Sequence, residues 1–238
     1  MLVPLVKYNI SYYIKSVKYL PPVILFATVI SIVYQTAPIG IWSNLHVTTI
    51  VMFIFASWIA SSLINSEVPT QQYITILHVK NETLYHMSKI VSIIVFLIPF
   101  YIITLIIPLI LGSFTRRLLI SEVIVYIVVY FLIGLLGASI GIFFNSFVFS
   151  GEMAILIHLT VISIIVVPFN VIFEDNLLVV YASYLLPPIN FMANRLHNLS
   201  EGIFVMDFNF FVFVIWVLGY SLVLITLYNI VIQKRNKS

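Results

Sequence analysis

The chain has 238 residues, 62% of them hydrophobic and 8% charged, with a mean hydropathy of +1.17 and a formal net charge of +3. Soluble domains carry roughly 25% charged residues, so this chain cannot cover a water-facing surface and reads as an integral membrane protein. The small net charge gives no indication of a nucleic-acid partner, and the absence of cysteine excludes disulfides and thiolate metal sites.

Residues 5–20 read as an amphipathic helix. At about 100° per residue, Lys7, Ser11, Lys15 and Lys18 share one sector, and Val6, Ile10, Tyr13 and Val17 the opposite one. A basic stripe facing an apolar one suits an interfacial helix on an anionic leaflet, with Lys7, Lys15 and Lys18 as anchors on membrane lipids. Pro21 and Pro22 argue against a single helix running on into the first span. The first long apolar run begins only after Lys18 and no small-x-small site follows it, so the sequence predicts a retained N-terminus rather than a cleaved signal peptide.

Six spans follow by apolar run length, near residues 19–34, 46–64, 90–111, 123–144, 153–169 and 208–232. The first is short for a hydrocarbon core of about 30 Å. The third contains Pro99 and Pro108, which membrane helices tolerate. Residues 35–44 form a brief turn with Pro38, Gly40 and Trp42. The expected fold is an all-α membrane protein, one transmembrane domain over 1–238, with six transmembrane helices and an N-terminal interfacial helix.

Two regions interrupt the spans. Residues 66–89 are the longest polar stretch between apolar runs in the first half and carry Glu67, His78, Lys80, Glu82, His86 and Lys89. Pro69 suits a first helical position. Tyr73, Ile74, Leu77 and His78 fall at helical spacing as one edge. Asn81 is a natural N-cap, with Glu82 at the positive end of the helix dipole, and that second helix can run through Lys89 into the third span. The other region is 170–207. Its apolar run 177–186 is too short to cross and the right length for a re-entrant helix; Pro187 and Pro188 end it, and 190–199, with Asn190, Arg195 and His197, reads as a second short helix.

Six spans place both ends on one side. Lys7, Lys15, Lys18, Lys80, Lys89, Lys234, Arg235 and Lys237 fall on that side, against Arg116, Arg117 and Arg195 on the other: eight against three, so the termini and the 66–89 loop are expected to be cytoplasmic and 170–207 outside. Arg116 and Arg117 sit awkwardly in this arrangement.

Several patterns bear on chemistry. Gly137-Ala138-Ser139-Ile140-Gly141 matches the nucleophile-elbow pattern, and with His158 in the next span it raises an intramembrane serine hydrolase. An elbow needs a strand-to-helix turn, however, and here the serine lies deep in an apolar helix. The same Gly134, Gly137, Ala138 and Gly141 make small-xxx-small pairs that let helices approach closely in lipid. Ionisable groups inside a membrane point to function by default, so His158 either lines a translocation path, for which Ser139 is a further candidate, or hydrogen-bonds to a neighbouring helix, while Glu152 reads as interfacial. The histidines show no metal-ligand spacing, and no phosphate-binding G-x-x-x-x-G-K-[ST] occurs, so any ATP-Mg chemistry belongs to another chain.

This layout resembles the type 2 class of ABC transporter permeases, with the type V exporter fold. The resemblance covers the whole chain in order of elements and concentrates in two places. Glu67 through Lys89 is similar to the family's acidic residue, short coupling helix and lysine entering the third span. Leu185-Leu186-Pro187-Pro188-Ile189-Asn190-Phe191 through Leu196, then Glu201-Gly202, is similar to the proline and short helix before the last span. The coupling stretch departs from the family in being rich in Gln and Thr with few arginines. The resemblance implies a bacterial plasma-membrane permease without a nucleotide site, paired with a second permease, identical or related, and with two cytoplasmic ATPase subunits. Glu67, Tyr73, Ile74, Leu77, His78, Lys80 and Lys89 would form the ATPase-coupling segment. Spans rich in Phe, Tyr and Ile favour hydrophobic or amphipathic peptides as cargo, ahead of drugs and lipid-linked glycans. A passive channel, tolerant of charge in the 66–89 loop, is the third alternative beside exporter and hydrolase.

Overall fold

A computed structural model describes residues 2–35, 37–144, 160–162, 164, 187, 189 and 208–235. Seven long helices account for most of them: α1 (Leu2–Lys15), α2 (Leu20–Gln35), α3 (Ile41–Ile64), α4 (Pro69–Val79), α5 (Glu82–Ile110), α6 (Ile120–Phe143) and α7 (Phe208–Arg235). No strand occurs among the described residues, only a single bridge between Ile39 and Phe114. Four helices, α3, α5, α6 and α7, are long and apolar enough to cross a membrane, and α1 with α2 forms a fifth, bent candidate. The chain is thus built as a multi-pass helical membrane protein. The fifth expected span and the 170–207 region, with His158, Pro188, Asn190 and Arg195, lie outside the described residues apart from 160–162, 164, 187 and 189.

The N-terminal helix ends earlier than its prolines imply. α1 stops at Lys15, Val17 takes a left-handed φ of 61°, and α2 leaves at 79° to α1. β-branched residues rarely adopt that φ, so the bend is set at Val17. Pro21 and Pro22 instead occupy the first turn of α2, where an absent N–H costs no intrahelical bond. α2 is 16 residues, about 24 Å, and is short for a span.

α3 and α6 form the centre of the bundle and run parallel. A Cβ added at Gly137 would collide with the backbone carbonyl of Phe53, and one at Gly141 with that of Ser57, while Ala56 and Ala60 complete the contact from α3. Gly134 makes room for the Tyr101 side chain of α5. The same pair buries Tyr130, whose hydroxyl lies 2.7 Å from Thr48 Oγ1, and Tyr126, which donates to the Ile41 carbonyl. Tyr34 of α2 donates to the Thr104 carbonyl of α5 at 3.1 Å. Each hydroxyl has a partner, as burial in a low-dielectric interior demands.

The α2–α3 and α5–α6 turns meet at one end. Ile39 donates to the Ser113 carbonyl at 2.8 Å and Thr115 to the Ile39 carbonyl at 3.2 Å. Beside them Arg116 grips Glu122 with both guanidinium nitrogens, one at 2.9 Å, and Glu122 also accepts from the Leu119 amide at 2.8 Å. The arginine that fits poorly with a charge count is thereby neutralised within its own turn.

Two glycines test this packing. Gly141→Leu should abolish a folded bundle, because overpacking a closed contact costs roughly 1–3 kcal/mol and more where backbone must move. Gly219→Ala, where nothing lies within 4 Å, should be neutral or stabilise α7 by up to about 1 kcal/mol. Thermal unfolding in detergent reads both.

Candidate functional site

The opposite end of the bundle is organised by the first carboxylate in the chain, Glu67. It lies in the turn between α3 and α4 and is 5% exposed. An isolated buried carboxylate is prohibitively costly, so its partners define the local structure. Lys89 of α5, itself 2% exposed, places Nζ 3.1 Å from Oε2 and also reaches the Ile64 carbonyl at 3.4 Å. Tyr85, one turn earlier on α5, donates to the same Oε2, and its ring lies under the Lys89 ammonium at 4.9 Å. Tyr8 of α1 donates to Oε1 at 2.9 Å, and Thr75 of α4 to Oε1 at 3.4 Å. Gln71 donates to the Tyr8 hydroxyl at 3.2 Å. Burial alone would raise the Glu67 carboxyl, but the Lys89 ammonium and the hydrogen bonds from Tyr85, Lys89 and Tyr8 outweigh it and hold the carboxyl below its ordinary value.

Around this centre the helices are tied by further bonds. Asn9 of α1 donates to Ser88 Oγ at 3.0 Å, and Lys18, just past the bend, donates to the Asn65 carbonyl at the end of α3 at 3.0 Å. His86 is buried, stacked edge-on against Tyr85 and Tyr228, with Nε2 3.8 Å from Glu82; neither ring nitrogen has a hydrogen-bond partner among the described residues.

α4 itself is inverted. It starts at Pro69 and ends on Lys80 in a left-handed conformation, φ 53°, whose amide returns to the Ile76 carbonyl. Asn81 caps α5 by accepting from the Leu84 amide at 2.9 Å. Gln72 is buried and Gln71 and Thr75 face the Glu67 cluster, while Tyr73, Ile74 and Leu77 are 61%, 53% and 73% exposed. His78 and Lys80 are exposed beside them. α4 thus packs its polar face inward and presents its apolar face outward.

The sequence-based coupling set therefore divides in two. Tyr73, Ile74, Leu77, His78 and Lys80 lie on the accessible face of α4. Glu67 and Lys89 do not: their burial removes them from any contact surface and makes them the support that fixes α4. Lys7, Lys15 and Lys18 are exposed, but Lys18 is shared with the end of α3. Tyr8, Gln71, Thr75 and Tyr85 were missed; the available signal was that a lone acid between apolar runs needs donors from distant helices. Ser139 is fully buried with its hydroxyl donating to the Leu136 carbonyl at 2.7 Å. Near it, Ile140, Phe144, Val161, Ile164, Pro187, Tyr220 and Leu224 line an apolar cavity of about 190 Å³. Among the described residues no group of three or more acids and histidines is placed to hold a metal.

No family model, curated protein or solved structure matches the chain.

Glu67→Gln and Lys89→Met should each destabilise the protein by about 3–5 kcal/mol, the cost of stranding one member of a buried pair, and the double variant by less than their sum. Because the folded Glu67 carboxyl lies below its unfolded value, its stabilisation is fully present above about pH 4.3 and is lost as pH falls through the lower folded value. Protection factors of the α4 amides should accordingly hold from pH 7 to about 5 and fall below about 4, a step that Glu67→Gln removes.

Proposed function

We propose that the chain is a permease subunit of an ATP-driven ABC exporter in a bacterial plasma membrane. It pairs with a second permease, identical or related, and with two cytoplasmic ATPase subunits that carry ATP-Mg. Its cargo is a hydrophobic or amphipathic peptide, or a drug- or lipid-like molecule. The observation that carries this reading is the inverted α4: an apolar face of Tyr73, Ile74 and Leu77 held out from the end of the bundle on a helix whose footing is a buried ion pair. A flexible connector would not be braced in this way. A braced face transmits force, since displacement of α4 reaches α5 and α1 through Glu67 as well as α5 along the chain.

Other features agree with the reading. Lys89 and Arg116 are both paired in the fold; set aside, they leave seven basic residues assigned to the cytoplasmic side against Arg117 and Arg195 outside, so the bias is kept. The apolar cavity beside α6 and α7 suits apolar cargo over sugars or ions.

Ile74→Asp with Leu77→Asp should abolish co-purification of an ATPase and transport while leaving thermal stability near that of the parent, because both side chains are more than half exposed. Retention of a stoichiometric ATPase by this variant would remove α4 as the docking element. Loss of activity in Ser139→Ala with an intact assembly would instead favour the hydrolase.

A further inference from the structure

α1 has four differently occupied sides. Asn9 and Tyr13 are buried against α5, where Asn9 bonds Ser88 and the Tyr13 ring meets Phe96 at 5.1 Å. Lys7, Ser11 and Lys15 are exposed on the opposite side. Of the two remaining edges, one carries Val3 and Ile14, 70% and 47% exposed, and the other carries Tyr8, which bonds Glu67. At about 100° per residue the aliphatic edge borders the lysines on one flank and Tyr8 lies beyond them on the other. The 79° bend into α2 sets α1 across the direction of that helix, as a helix lying in a membrane surface must be.

The geometry points to α1 as a lever by which an anionic lipid surface controls the order of α4. Val3 and Ile14 seat in the acyl boundary and Lys7 and Lys15 meet anionic headgroups; the far edge transmits that attachment through Tyr8 to Glu67. Lys18 adds a second tie, from the bend to the Asn65 carbonyl at the root of the α3–α4 turn. Charge complementarity selects the occupant: among the described residues no carboxylate lies within ion-pair distance of Lys7 or Lys15. Free of anionic lipid, α1 loses its outer attachment and α4 keeps only the α5 side of its footing. This lever acts on α4 whatever docks there, so it stands or falls separately from the exporter reading.

The test compares hydrogen exchange of the full chain in vesicles of phosphatidylcholine alone and of phosphatidylcholine mixed with phosphatidylglycerol. Exchange of the α4 amides should slow roughly five- to thirtyfold in the anionic vesicles, the range for one or two lysines meeting headgroups. Lys7→Gln with Lys15→Gln should erase the difference. Tyr8→Phe with Lys18→Gln should keep the lipid protection of α1 but leave α4 indifferent to lipid. Equal α4 exchange of the parent chain in the two vesicles overturns the proposal without reference to any variant. So does an undiminished lipid effect in Tyr8→Phe with Lys18→Gln. Inorganic phosphate added to the phosphatidylcholine vesicles should change nothing; slowing by phosphate alone would show an anion site in place of a lipid surface and overturn it too.

Discussion

One carboxylate governs the end of this molecule that carries α4. Removed from water, Glu67 requires a counter-charge and hydrogen-bond donors, and they come from three different helices: Lys89 and Tyr85 on α5, Tyr8 on α1 and Thr75 on α4. Meeting that requirement fixes the crossing of α1 over α5, the return of the chain after α3 and the rotation of α4 about its axis. The rotation is the consequential part. With Gln71 and Thr75 drawn inward, the residues one side further round, Tyr73, Ile74 and Leu77, have nowhere to go but outward.

The centre of the bundle obeys a different constraint. Lipid supplies no hydrophobic drive between helices, so α3 and α6 associate through closeness, with glycines of one set against backbone carbonyls and alanines of the other. Of the hydroxyls buried alongside, Tyr130 turns onto Thr48 and Ser139 onto Leu136, so polarity adds cohesion there, while Thr49 Oγ1 has no hydrogen-bond partner among the described residues.

What was legible in the sequence was local. The Pro69 start, the Asn81 cap and the small residues of α6 all follow from rules that act within a turn or two. The Ala56 and Ala60 half of the α3–α6 contact shows the same spacing and was there to be read. Glu67 and Lys89 stood out as charges between apolar runs, but charge does not reveal burial, and they were grouped with the exposed residues of α4. Tyr8 joins Glu67 across 59 positions of sequence, and no periodicity in α1 announces it. The end of α1 was misplaced because two prolines look like a break, whereas in a first helical turn they are neutral; Val17 makes the bend by its backbone conformation alone.

The turn at Ile39 and Ser113 gives the two ends of the molecule unequal mechanics. There the α2–α3 and α5–α6 connections are fastened to each other through main-chain atoms, which neither titrate nor change rotamer. At the α4 end the fastenings are side chains, and these can be released one by one. The bundle therefore has one end fastened through main-chain atoms and one fastened through side chains, separated by the length of α5, whose 29 residues span about 43 Å. Over such an arm a tilt of a few degrees at the fastened turn carries α4 through a few ångströms, so a small angular change in the bundle is delivered as a displacement of α4.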